Sequence, residues 1–334
     1  MQRMTRDILA LLEEQKRLEQ VRYTLGDYEL REPDYQQILR WAEAWGCSAE
    51  EVLERLEKSV FDDWDSEPVR QIMFTVVDGR IHSLVWDCDQ FSAEGWTWHE
   101  GLNIETLAFS SANLLSCLPI NLPASLQTLY CRIIGLDMLD LSTIPNLTRL
   151  LCNGNELPQI DLDPMLDHCS SNQLTEFDLS PVPNLTVLLC VYNQLTALDL
   201  SPVPNLTWLN CSCNQLTDLD LSAVPNLTYL NFMNNQLTAL DLTPIPKLMK
   251  LRCDGNQLTD LDLSPVPNLT KLNCWYNQLT DLDLSPVPNL TKLRCWNNPL
   301  TKLDIRPLTK LQSLWVDRKT RLIGTPPPGC EVKY

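Results

Sequence analysis

No apolar stretch in the sequence is long and uninterrupted enough to cross a bilayer, and its first twenty residues, MQRMTRDILALLEEQKRLEQ, carry a charge at every turn. A membrane span or a secretory signal is therefore not expected. The chain reads as soluble, cytoplasmic where it is made, or exported by a route that needs no signal peptide. Positive charge is scarce: 26 Lys and Arg against 43 Asp and Glu leave a net charge of -17, a field that repels nucleic acid and anionic membrane alike. Histidine is rarer still. None of His82, His99 and His168 has a Ser or Cys nucleophile at a diagnostic spacing, and there is no G-x-S-x-G, H-E-x-x-H or phosphate-binding loop. Neither an enzymatic activity nor a cofactor is expected.

Cysteine and leucine, by contrast, recur in register. Thirteen cysteines in a long chain, an odd number, do not suggest a disulfide framework. Most fall in one column with a period of 21 residues: Cys131, Cys152, Cys169, Cys190, Cys211, then Phe232, Cys253, Cys274, Cys295 and finally Val316. The interval from Cys152 to Cys169 is four residues short, so that turn of the array should be deformed. A zinc site needs thiolates converging on one point. Thiols one rung apart among leucines, replaceable by Phe or Val, read instead as a reduced, buried apolar column, and no metal is expected there. Cys213 falls on an outward position and is the thiol expected to react.

Each unit follows the frame L-x-x-L-x-C-x-x-N-x-L-x-x-L-D-L-S-P-V-P-N. Its first part resembles the strand-and-asparagine segment of leucine-rich repeats over about Ile81 to Val316, and INLPASLQTLYC at Ile120 to Cys131 resembles the L-P-x-x-L-x-x-L phrase of secreted bacterial effectors. The short unit, with L-x-x-L-D-L nested behind it, is similar to the repeats of internalin-like and effector proteins of bacteria. That resemblance implies a repeat solenoid, a right-handed coil with a parallel β-sheet on its concave face. It also implies no ubiquitin-ligase activity, because the effectors that have it carry a large catalytic domain after their repeats.

The residues support the same fold. Alternation turns Leu272 and Cys274 inward and their neighbours outward. Asparagines such as Asn193, Asn214 and Asn235 follow each strand, where an amide can bind backbone groups of its own and the adjacent turn. The return limb, SPVP, is too short and proline-rich for a helix and should be extended or polyproline-like. Ahead of the array, helical spacing is expected over 5–21 and 33–45, with Gly46 as a stop, and a Ser48–Glu51 capping box opens a third helix. Asp78-Gly79 between apolar runs predicts a hairpin. The expected division is a small helical N-terminal domain or cap at 1–68, a hairpin and irregular first repeats at 69–125, regular repeats at 126–319 and a C-terminal cap at 320–334.

Two further columns have rival readings. Nine aspartates of L-D-L, from Asp140 to Asp304, would repel one another across a parallel ladder unless offset by backbone amides, by the Thr of Q-L-T or by a divalent cation. Asn-Leu-Thr recurs as a glycosylation sequon in form, but the period accounts for it. The segment LRWAEAWGCSAEEVLERL has the spacing of a helix-turn-helix, but Glu50, Glu51, Glu54 and Glu57 would repel a phosphate backbone.

Because the frame is set by folding, function should lie in the outward positions that vary. The middle repeats are expected to expose an apolar patch of Val187, Leu189, Tyr192, Trp208, Tyr229 and Met233. Later repeats add Lys250, Arg252, Lys271, Lys292, Arg294 and Arg318 among Trp275, Tyr276, Trp296 and Trp315, a basic and aromatic island in an acidic chain. Trp, Tyr and Arg are the commonest binding hot spots. The surface is expected to bind another protein with an acidic patch, in the setting of a bacterial effector or of an immunity-type antagonist. The alternatives are a carbohydrate-binding module using the exposed rings, a working N-terminal helical domain with the repeats as scaffold, or rings that merely stack to stiffen the sheet.

Overall fold

The computed structural model describes residues 23–25, 28–45, 47–58, 60–61, 72–73, 75–77, 80–87, 104, 106–111, 122–133, 141–152 and 174–334. The chain divides into two compact units, Met1–Cys131 and Arg132–Tyr334.

In the first unit, helix α1 (Glu32–Trp45) begins with Glu32 and Asp34 in its first turn, where carboxylates oppose the positive end of the helix dipole. Its apolar stripe of Ile38, Trp41 and Ala42 is buried. Helix α2 (Ala49–Lys58) opens with the expected reciprocal cap: Glu51 N–H donates to Ser48 Oγ at 3.1 Å and Ser48 N–H to Glu51 Oε2 at 3.4 Å. The helix expected over 5–21 and the stop at Gly46 lie outside the described residues. Thr75–Val77 and Arg80–Asp87 form the antiparallel hairpin, and Thr106–Ser111 adds a parallel neighbour to the latter. A short antiparallel pair, Tyr23–Leu25 with Tyr28–Leu30, was not expected. Asp34 ties the helix to the hairpin. It accepts from Ile81 N–H at 2.9 Å and lies 3.6 Å from the Arg80 guanidinium. Burial raises its pKa to about 6 against the opposing pull of Ile81 and Arg80.

The second unit is a coil of parallel strands. Arg149–Cys152, Val187–Leu189, Trp208–Asn210, Tyr229–Asn231, Lys250–Arg252, Lys271–Asn273, Lys292–Arg294 and Ser313–Trp315 pair in sequence order. Central leucines such as Leu209, Leu230 and Leu272 are fully buried, as are Cys152, Cys190, Cys211, Phe232, Cys253, Cys274, Cys295 and Val316. Burial raises the pKa of Cys211 and Cys295 to about 12. The expectation that the column passes through Cys169 needs correction, because Arg149 pairs directly with Val187. The bond between neighbouring rungs there spans 38 residues, from Thr186 Oγ1 to Thr148 O, where a regular rung spans 21. Cys152 and Cys190 are therefore adjacent rungs, and Cys169 lies outside the described residues.

Three side-chain ladders explain the fixed letters. Each ladder asparagine donates Nδ2 to the carbonyl of the Cys-column residue in its own rung and in the preceding one. Asn256, for instance, donates to Cys253 O at 3.2 Å and Phe232 O at 3.1 Å, while its Oδ1 accepts from Leu237 N–H at 3.1 Å. The Thr of N-L-T forms a second ladder: Thr207 Oγ1 donates to Thr186 O at 3.1 Å and Thr228 Oγ1 to Thr207 O at 3.0 Å. The Asp of L-D-L accepts the N–H two residues on, as Asp199 does from Ser201 at 2.9 Å. Its partner is the following Ser, not the Thr of Q-L-T, because the Asp opens the turn and its carboxylate folds forward over it. Hydrogen bonds from that Ser hold Asp178, Asp199 and Asp220 below the usual carboxylate range.

The return limb contains turns in place of a helix. Val203 N–H donates to Leu200 O and Leu206 N–H to Val203 O, both at 3.1 Å. Pro202 and Pro204 flank Val203, at positions where these turns need no N–H. At the C-terminal side, the prolines do not end the pairing. Glu331–Lys333 adds a parallel strand beside Ser313–Trp315, and Lys302–Asp304 pairs with Arg321–Ile323 in a small second sheet.

Candidate functional site

Register places the variable side chains of the second unit in columns on the face of the sheet opposite the leucine interior. The first column holds Trp208, Tyr229, Lys250, Lys271 and Lys292, paired rung to rung. The second holds Leu189, Asn210, Asn231, Arg252, Asn273, Arg294 and Trp315. A third, one residue past the Cys column, holds Val191, Ser212, Met233, Asp254, Trp275 and Trp296.

The tryptophans of this unit and Tyr229 are on this face and half-buried, several of them stacked in pairs. Trp208 and Tyr229 lie parallel with centroids 3.9 Å apart, Trp275 and Trp296 likewise at 4.7 Å, and Tyr276 meets Trp275 edge-on at 6.3 Å. Cations cover some of the remaining ring faces. Arg294 lies 4.3 Å and Lys333 4.7 Å from the Trp315 centroid, and Lys250 lies 5.7 Å from that of Trp208. Lys271, Tyr192 and Met233 are half-exposed, while Lys292, Arg318 and Tyr276 are exposed.

Two expected members of the apolar patch are not on the surface. Val187 is 9% and Leu189 3% exposed. Val187 lies between Arg149 and Trp208, and Leu189 between Leu151 and Asn210. Both are therefore packed within the outer face despite their outward register, Leu189 between neighbours no larger than itself. The exposed apolar area therefore begins at Trp208.

Arg252 is drawn flat against the sheet, its Nη2 3.1 Å from Met233 Sδ and 3.5 Å from Asp254 Oδ2. Asp254 is fully buried on this outer face, and burial raises its pKa despite the neighbouring Arg252. Sequence reasoning missed Asp254, although the letters KLRCD place Lys250, Arg252 and Asp254 at alternate positions on one side of the strand.

The residue two past the Cys column adopts a left-handed backbone in rung after rung: φ is 54° at Tyr192, 56° at Cys213, 52° at Asn234, 65° at Gly255, 55° at Tyr276 and 56° at Asn297. Asn and Gly suit that conformation, whereas a tyrosine there costs about 1–2 kcal/mol. Tyr276 holds this strained position with 41% of its surface exposed.

A family model described as leucine-rich repeats (2 copies) matches residues 204–247, within the stretch where this geometry is most regular. The array is a leucine-rich repeat solenoid. The functional domain of InlJ from Listeria monocytogenes, which includes a cysteine ladder, is 36% identical, with 61% of this chain and 46% of that one covered and a TM-score of 0.47. YopM from Yersinia enterocolitica is 25% identical over 72% of this chain and 61% of its own, with a TM-score of 0.50. A leucine-rich repeat protein of Leptospira interrogans shares the fold at 23% identity and a TM-score of 0.55, over 70% of this chain and 67% of that one. The chain thus spans about half of the InlJ structure it matches. No curated protein matches the sequence. Among the described residues of this solenoid, no three His, Cys, Asp or Glu side chains are grouped to hold a metal ion, and no helix is long and apolar enough to cross a membrane.

Proposed function

We propose that the leucine-rich repeat solenoid is a non-enzymatic recognition module that docks one protein partner on its outer sheet face. The observation that carries this reading is the gathering of Trp208, Tyr229, Trp275, Tyr276 and Trp296 with Lys250, Lys271, Lys292 and Arg294 on one side of the sheet, in a chain of net charge -17. Folding needs only the inward leucines and the three ladders, so it does not account for these rings. The site takes a partner with an acidic patch, the rings supplying buried area and the cations selectivity. A sugar-binding role is less well supported: Trp208 and Tyr229, and Trp275 and Trp296, cover each other's inner ring faces, which a stacked sugar would need.

The bacterial origin of the InlJ and YopM structures supports a bacterial setting. Within it, the protein acts from the cytoplasm as an antagonist of another protein or is delivered as an effector. A toxin reading frame beside the gene favours the first and a secretion cluster the second. Affinity capture with the native chain, beside a variant carrying Trp208→Ala, Trp275→Ala and Arg294→Glu, tests the docking face. The native chain should retain a partner that the folded variant loses, and identical recoveries would refute the reading.

A further inference from the structure

The outer face has relief as well as charge. Lys250, Lys271 and Lys292 stand in one column on successive rungs, and Trp275 and Trp296 stand in another, four residues further along the chain than Lys271 and Lys292 and just past the ends of their strands. Between them the second column is kept low. Arg252 folds back onto Asp254 and Met233, and Arg294 lies over the Trp315 ring. The result is a low band crossing the strands, edged by three lysines on one side and, in the last two of these rungs, by tryptophans on the other.

From its dimensions we infer that the partner element seated there is an amphipathic α-helix with acidic residues along one edge and apolar residues along the other, lying across the strands. This inference rests on the docking face proposed above. Four residues of extended chain set the backbones of the two edges about 13 Å apart, so a helix about 10–12 Å across rests over the low second column with its flanks against the lysines and the tryptophans. Rungs repeat at about 4.8 Å, so the outer lysines stand about 9.6 Å apart. A helix brings a side chain back to the same edge about every 5.4 Å and, seven residues on, after about 10.5 Å, so acids spaced i, i+3 or i+4, and i+7 meet all three lysines. An extended strand repeats at about 6.7 Å and falls out of step with the lysines at the first rung. A coil or loop presents no such edge.

The test uses the full chain and two synthetic peptides of about 18 residues and equal composition, length and charge. One is stapled into a helix, with Glu at i, i+4 and i+7 on one edge and Leu opposite. The other alternates Glu and Leu at period two. Binding is read by fluorescence anisotropy at low and moderate salt, against native protein and against Lys271→Gln and Trp296→Ala variants whose circular dichroism matches the native chain. The helical peptide should bind at least about tenfold more tightly than the alternating one, or about 1.4 kcal/mol, and both variants should weaken it. Failure of the helical peptide to bind, or equal or tighter binding of the alternating peptide that Lys271→Gln weakens, overturns the helix while leaving the docking face intact. Binding of both peptides that neither variant changes overturns the docking face as well.

Discussion

Asn256→Ala probes the ladder at one rung. The amide of Asn256 bonds Phe232 O, Cys253 O and Asp254 O, and its Oδ1 is the acceptor for Leu237 N–H. The ladder is redundant on one side only. Phe232 O also accepts from Asn235 and Cys253 O from Asn277, so those carbonyls keep a partner after the substitution. Leu237 N–H, in the buried interior, loses the acceptor that Asn256 supplies. An orphaned buried donor costs about 1–3 kcal/mol and each lost amide bond about 0.5–1.5 kcal/mol; with the carbonyls still satisfied, the sum should come to about 3 kcal/mol. Because each repeat contacts only its neighbours, the loss should be local, splitting or broadening the unfolding transition more than it shifts it uniformly. Urea denaturation followed by tryptophan fluorescence, with hydrogen exchange read at residues 232–258, measures both. A loss under about 0.5 kcal/mol, or one spread evenly over the array, would refute the reasoning.

Other outcomes follow from the same geometry. Tyr276→Gly should raise stability by up to about 1 kcal/mol by relieving the left-handed backbone, whereas Gly255→Ala should lower it, since an added Cβ would meet Asn234 Oδ1; thermal midpoints of both variants decide. Asp34 has a folded pKa of about 6 against 3.8 for the free group. The stability this shift confers is therefore complete below pH 3.8 and lost as pH rises through 6, on the order of 3 kcal/mol in all. Asp34→Asn, which keeps an acceptor for Ile81 N–H, should flatten that slope in a pH series of urea midpoints; an unchanged slope would show that Asp34 is not its source. At pH 8, iodoacetamide should leave Cys190, Cys211, Cys253, Cys274 and Cys295 unmodified until the chain unfolds, because burial holds their thiols protonated. Rapid alkylation of the folded protein, mapped by mass spectrometry, would contradict the burial.

The periodic part of the fold could be read in the letters because each rung repeats the same demand. Leucine and cysteine must face inward, asparagine must bind two turns, and proline must sit where no N–H is wanted. The period accounted for the recurrence of N-L-T but not for its threonine, whose ladder shows only when Thr207 Oγ1 is seen to donate to the carbonyl one rung back. Cys169 misled because periodicity is a property of spacing and pairing is a property of backbone position, and here Arg149 pairs with Val187 across the irregular stretch. The surface was the harder problem. An outward-facing position is not necessarily an exposed one, as Leu189 and Val187 show. Nor does a charge on the outer face stand free when, like Asp254, it is met by an Arg two residues earlier in the same rung. Those outcomes depend on how side chains of neighbouring rungs and columns pack together, which a single column does not reveal.

The most direct test of the docking surface is oxidative footprinting of the chain alone and bound to its captured partner. Trp275, Trp296 and Tyr276 should be protected in the complex, while Met249, exposed just before the Lys250 strand, and the Asp-Ser turns should be labelled as before. Unchanged labelling of the three rings, with protection moved to the turns or to the helices of the first unit, would contradict it.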